Sequence, residues 1–145
     1  MSSKISITRR FQFCAGHRVF KHESKCAHPH GHNYVALVTV ESRGGASLDS
    51  LGRVIDFSVV KEQIGEWIDE AWDHGFLYCR EDAEMCAIFQ AKPFKQYVME
   101  ANPTAENMAK ILFYQANDLL AYANIRCTKV VLWETENCFA EYCGE

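Results

Sequence analysis

Four groups able to bind a metal or move a proton fall within seven residues, Cys26-Ala27-His28-Pro29-His30-Gly31-His32, and five of the six histidines lie between positions 17 and 32. Imidazole is the commonest protein ligand for zinc, so a divalent metal is the first chemistry this clustering suggests. In an extended segment residues two apart share a face, which lets His30 and His32 reach one ion. His28 would join them only if Pro29 leaves the chain extended, and Pro often marks a strand's beginning instead. His22 and His28 are read as solvated loop residues. His17, in Phe13-Cys14-Ala15-Gly16-His17, is the expected third ligand. Three neutral imidazoles and an open position make a catalytic zinc site, with Zn–N bonds of about 2.0–2.1 Å. A closed structural zinc, with Cys26 as fourth ligand, is the competing arrangement.

Three further features carry chemistry. A thiol beside a dication is partly deprotonated, so Cys26 is a candidate nucleophile or general base; the alternative, a small buried apolar residue, fits its polar loop poorly. In Asp73-His74 the acid can orient and charge-stabilise the imidazole where the backbone leaves a helix, although a histidine there also suits the helix dipole alone. Glu134 closes the apolar run Val130-Val131-Leu132-Trp133. A carboxylate at a strand end can accept two parallel N–H bonds from an amidine-like edge, as in guanine or a pterin, or can simply be an exposed charge.

The elements that must position these groups follow from periodicity. Ile5 to Phe13 reads as a strand, with His17 at its end or just past it, and residues 18–29 as a loop. A second strand is expected over about His32 to Ser42, then a turn over 43–47 closing a hairpin with Arg53-Val54-Ile55-Asp56. Ser58 is a plausible N-cap for a helix carrying Val59, Val60, Ile64, Trp67, Ile68, Ala71 and Trp72, with Gly75 as its stop. Over 76–101 the pattern is weak: Glu81 to Gln90 suggests a short helix and Tyr97-Val98-Met99 a short extended piece. Either Asn102 or Thr104 can cap the next helix, which turns Met108, Ile111, Leu112, Leu119 and Leu120 inward and ends near Ala123-Asn124. Arg126 to Glu134 and Phe139 to Tyr142 read as the last strands, joined through Thr135-Glu136-Asn137. The expectation is one α+β domain over 1–145, with four antiparallel strands and two helices on one face.

Composition bounds the partners. The chain has 145 residues, 48% hydrophobic and 23% charged, with a net charge of −4. No run of Lys/Arg with interleaved aromatics suggests nucleic acid. No apolar run approaches a membrane span of about 18 residues. The opening Met1–Ser6 lacks the apolar core of a signal peptide, and the seven cysteines form no CxxC pair. Reduced thiols in the cytoplasm are therefore expected.

Taken jointly and in order, Phe13-Cys14-Ala15-Gly16-His17, Cys26 with His30-Gly31-His32-Asn33-Tyr34, Gly52-Arg53-Val54-Ile55-Asp56-Phe57, Asp73-His74, Asn102-Pro103-Thr104-Ala105-Glu106-Asn107 and Glu134-Thr135 resemble the 6-pyruvoyl-tetrahydropterin synthase / 6-carboxytetrahydropterin synthase family. The resemblance runs from Phe11 to Tyr142. It implies the tunnelling fold, ββααββ, whose subunits join sheets into a barrel, and a homohexamer of two trimers with sites at subunit interfaces. It implies zinc on His17, His30 and His32, Cys26 as proton acceptor, and Asp73, His74 and Glu134 in a proton relay. Glu134 would also hold the pterin ring, with Thr104 and Thr135 as further substrate-binding residues. Three residues separate Cys26 from His30, as in the bacterial 6-carboxy branch. That branch converts 7,8-dihydroneopterin triphosphate to 6-carboxy-5,6,7,8-tetrahydropterin, acetaldehyde and triphosphate, an early step towards queuosine. The alternatives are a 6-pyruvoyl-type triphosphate elimination and a non-catalytic zinc- or pterin-binding protein. Two departures bear on the substrate: the family's Asn after the Asp-His pair is missing from Gly75-Phe76-Leu77-Tyr78-Cys79, and the 80–101 segment is longer than in compact members. Arg18, Lys21, Lys25 and Arg53 are unranked candidates for holding the triphosphate.

Overall fold

The structure, a computed structural model, describes residues 4–45 and 48–145. Alternation builds its centre. Strand β1 (Ile7–His17) turns Phe11, Phe13, Ala15 and His17 to the core and leaves Arg10 and Gln12 exposed. Strand β2 (His30–Ser42) buries Tyr34, Ala36, Val38 and Val40. The two pair antiparallel, with Phe13 opposite Tyr34, Ala15 opposite His32 and His17 opposite His30. Strand β5 (Ile125–Thr135) lies antiparallel on the other side of β2, and β6 (Cys138–Tyr142) on β5. A bulge opposite Thr39/Val40 would orphan backbone groups of β5. Asn117 satisfies them: its Oδ1 accepts from the Cys127 N–H (2.9 Å) and its amide donates to the Cys127 carbonyl (3.2 Å).

Two helices cover the core face. Helix α1 (Phe57–Ala71) buries Val60, Ile64 and Ile68, four apart on one stripe. Each such aliphatic side chain contributes about 1.5–3 kcal/mol on burial. Further along the chain, helix α3 (Ala105–Leu120) buries Met108, Ala109, Leu112, Phe113, Ala116 and Leu120 against the same cluster.

The expected four-stranded antiparallel sheet is corrected to a six-stranded mixed sheet of order β4-β3-β1-β2-β5-β6. Strand β3 (Gly75–Cys79) runs parallel to β1, and β4 (Gln96–Met99) parallel to β3. Between them lies a third helix, α2 (Ala83–Gln90), capped by Asp82, whose side chain accepts from the Met85 N–H. The alternation of β3 explains the third layer. Leu77 joins the main core, so Phe76 and Tyr78 face the opposite side, where Phe89 of α2 stacks on both at 4.6 and 5.5 Å. Strands covered on both faces read as continuous apolar runs, which hides their period.

Other expectations are corrected at the boundaries. β1 begins at Ile7 and reaches His17; β2 begins at His30. The N-cap of α1 is Asp56, which accepts from the Ser58 N–H at 2.8 Å, not Ser58. The cap of α3 is Thr104, not Asn102. Gly75 is no helix stop: it opens β3, and the left-handed residue that turns the chain after α1 is His74 (φ 61°). Among the described residues, Arg53–Asp56 forms no strand. Of the expected turn, residues 46 and 47 lie outside the described residues, as do Met1–Ser3 of the opening segment. No helix among the described residues is long and apolar enough to cross a membrane.

Candidate active site

The antiparallel register carries His17, His30 and His32 to one end of β1 and β2, on the face that Phe13 and Tyr34 occupy. Their ring centroids stand 4.6, 4.9 and 5.1 Å apart, and their donor atoms all lie within 4.8 Å of one another.

Hydrogen bonding fixes which atoms converge. The His17 Nδ1 lies 2.7 Å from the Pro103 carbonyl, and the His30 Nδ1 2.7 Å from the His28 carbonyl. A carbonyl only accepts, so both Nδ1 atoms carry hydrogen and both neutral rings present a lone pair at Nε2. These two Nε2 atoms face each other at 3.1 Å. The His32 Nε2 is buried, has no hydrogen-bond partner among the described residues, and lies 3.6 Å from a Glu134 oxygen. Lone pairs so arranged repel unless positive charge sits between them. A proton is a poor occupant, because burial, reinforced by the charge repulsion of His30 and His32, outweighs the Pro103 bond and holds His17 down to about 4. Burial also lowers His32, against the pull of Glu134. A dication suits the site better, since donors on a tetrahedral ion with bonds of about 2.0–2.1 Å stand about 3.3 Å apart. A carbonyl on the far ring nitrogen is also the usual orienting partner of a metal-bound histidine.

Glu134 sits on the same face of β5 as Val130 and Leu132 and lines a cleft of about 330 Å³ with Glu106, Phe139 and Glu141. Thr104 and Thr135 have structural partners. The Thr104 hydroxyl caps α3, and the Thr135 hydroxyl accepts from the Asn137 N–H in the β5–β6 turn. Cys26 lies half-buried in a one-turn helix at Lys25–Ala27, and Val19 donates to its carbonyl at 3.1 Å. Its sulfur does not join the three imidazole donors within 4.8 Å.

Asp73 and His74 are elsewhere, across the sheet. The Asp73 carboxylate accepts from the Cys14 N–H (3.0 Å) and the His74 Nδ1–H (2.9 Å), and the His74 N–H donates to the Cys14 carbonyl (2.7 Å). Cys14 alternates with Phe13 and Ala15 and so faces away from the core. Partial burial alone would raise the Asp73 carboxyl, but the Cys14 N–H, the His74 ring and the Lys95 charge together hold it below the ordinary range. Lys95 donates to the Asp69 and Asp73 carbonyls at 2.5 Å, closing the end of α1.

Of the basic candidates, Arg18 is tied to Asp82 and Glu84, and Arg53 to Asp49 and Asp56. The sequence reading missed Pro103, Asn102 and Lys95 as positioning groups. Asn102 pairs with both backbone groups of Phe20 at 2.7 and 2.9 Å, which pins the chain just after His17. The motif Asn102-Pro103-Thr104 was the signal, read only as a helix start.

Comparison with known proteins bears on the family and the fold. A family model described as 6-pyruvoyl tetrahydropterin synthase matches residues 6–145. Proteins named 6-carboxy-5,6,7,8-tetrahydropterin synthase are similar along nearly the whole chain. That of Rickettsia conorii is 40% identical over 94% of this chain and 99% of its own length. That of Haemophilus influenzae is 29% identical over 95% and 98%. Among solved structures, an uncharacterized protein from Wolinella succinogenes superposes with a TM-score of 0.85 at 24% identity, covering 99% of this chain and 100% of that one. The 6-pyruvoyl tetrahydropterin synthase of Caenorhabditis elegans superposes with a TM-score of 0.71 at 23% identity, covering 99% and 97%. At those identities the structural likeness speaks for the fold.

Proposed function

We propose that this chain, which belongs to the 6-pyruvoyl tetrahydropterin synthase family, is a zinc-dependent cytoplasmic lyase that converts 7,8-dihydroneopterin triphosphate and water to 6-carboxy-5,6,7,8-tetrahydropterin, acetaldehyde and triphosphate. This is a reaction on the way to queuosine. The observation that carries the metal assignment is the convergence of one donor atom from each of three imidazoles, with Nε2 freed on His17 and His30 because their Nδ1–H groups are bound to carbonyls. The names of the full-length relatives support the choice of the 6-carboxy product.

His17, His30 and His32 would hold zinc through Nε2 and leave one position for substrate. When bound, the ion supplies Lewis-acid polarisation of the substrate's side-chain hydroxyls. Glu134 accepts the parallel N–H pair of the pterin's amidine edge from within its cleft. Tyr34, raised by burial and by the Glu134 charge, remains a neutral phenol beside His17. Cys26, as thiolate, takes a proton from the substrate side chain, and His74, oriented by Asp73, gives or takes another. Asp73 and His74 lie across the sheet from the imidazoles of their own chain, so the relay requires a second copy. Assembly, as a homohexamer of two trimers with sites between subunits, is part of the proposal.

The test is incubation of the zinc-loaded protein with 7,8-dihydroneopterin triphosphate, followed by mass analysis. The expected products are 6-carboxytetrahydropterin and acetaldehyde. A 6-pyruvoyl pterin without acetaldehyde would assign the other branch, and unchanged substrate would refute the lyase.

A further inference from the structure

We propose that Cys14, Asp73 and His74 form a second cation site for a borderline dication such as zinc, on the opposite face of the sheet from the three imidazoles. One ligand atom from each of the three residues lies within 4.8 Å of the others. A thiol, an imidazole and a carboxylate together are unlike the exposed acidic clusters of ordinary surfaces. The sulfur selects zinc, cobalt or cadmium over magnesium or calcium, and thiolate plus carboxylate supply the two negative charges that balance the ion.

The cradle is already built. Cys14 and the 73–74 turn are joined by a backbone bond from the His74 N–H to the Cys14 carbonyl and by a bond from the Cys14 N–H to the Asp73 carboxylate, which also accepts from the His74 ring. His74 adopts φ 61°, a left-handed conformation uncommon among non-glycine residues, and its backbone bond to Cys14 holds it there. Cys14 and His74 both line a cavity of about 380 Å³ with Gly16, Gly31, His32, Asn33 and Gly75, which leaves room for a fourth ligand. Glycine at 16 is required there, since a Cβ would stand 2.7 Å from the Phe76 ring. The binding itself is independent of the lyase reading. Only one consequence rests on that reading: a cation on His74 withdraws it from proton transfer, so excess zinc slows turnover.

Metal-free, full-length protein titrated with Co²⁺ in a thiol-free reductant tests the site without substrate. The expected result is two equivalents per chain, the second bringing thiolate-to-cobalt charge-transfer absorption in the near ultraviolet. Cys14→Ser loses the second equivalent and that absorption while keeping the first, and its retained first equivalent reports a folded protein. His74→Ala, at an exposed side chain, gives the same loss and serves should Cys14→Ser fail to fold. Cys26→Ser keeps both equivalents. Saturation of the wild type at one equivalent overturns the proposal, as does absorption that survives Cys14→Ser and disappears in Cys26→Ser.

Discussion

Single residues divide here by whether their polar atoms are spent. The His17 and His30 Nδ1 hydrogens go to carbonyls, which leaves their Nε2 atoms for a guest; the Cys26 sulfur stands outside that convergence. Cys26→Ala is therefore expected to keep stoichiometric zinc and lose turnover, read by metal analysis beside product formation. Loss of zinc with the thiol would make Cys26 a ligand. Cys127 shows the contrasting thiol. Burial outweighs the Lys129 backbone bond and, with the charge of Cys143, pushes it up to about 12 from 9.0. Below pH 9 the thiol is protonated folded or unfolded. Above it, the unfolded chain releases the proton first, so stability falls as pH rises from 9 towards 12. Urea midpoints across that range should drop in the wild type and drop less in Cys127→Ala, the loss of slope being the test rather than the absolute stability.

Elements decide where those residues meet. Strands β1 and β2 were legible because alternation put His30 and His32 on one face and left His17 at the end of the first strand; their pairing with each other was not, since the turn after β2 suggested a hairpin with 53–56 instead. Helices α1 and α3 were legible from apolar stripes and from Asn102-Pro103-Thr104. What stayed hidden depends on contacts distant in sequence. β3 is short and covered on both faces, so no period marks it, and the parallel pairing of the extended piece β4 with it has no local signal. The bond from His17 to Pro103 spans 86 positions and has no local signal. The 80–101 segment, whose short helix and extended piece were legible as α2 and β4, also sends Lys95 to cap α1 beside Asp73, which no local pattern announces. Lys95→Met is expected to cost about 0.5–1 kcal/mol, a fall in Tm of about 2–4 °C. It should also lower turnover more than this stability loss explains, because the 73–74 turn loses its clamp. Unchanged turnover would free that turn from dependence on Lys95.

For the whole molecule, no strand among the described residues pairs with the outer edge of β4 or of β6, and Phe139 on β6 is 53% exposed. Open edges invite pairing with another copy. The placement of Asp73 and His74 across the sheet from the imidazoles gives that pairing a chemical purpose. Sedimentation should find a hexamer. Mixing Cys26→Ala and His74→Ala chains after dissociation should restore part of the activity that each lacks alone. Recovery of nothing from the mixture, with hexamers intact, would place the relay within one chain.

The central claim is that three imidazoles present Nε2 to one ion and leave a position open. X-ray absorption at the zinc edge, on protein loaded with one equivalent, tests it most directly. The account predicts three nitrogen neighbours and one oxygen at about 2.0–2.1 Å. A sulfur neighbour at about 2.3 Å, or failure to retain zinc at all, would contradict it.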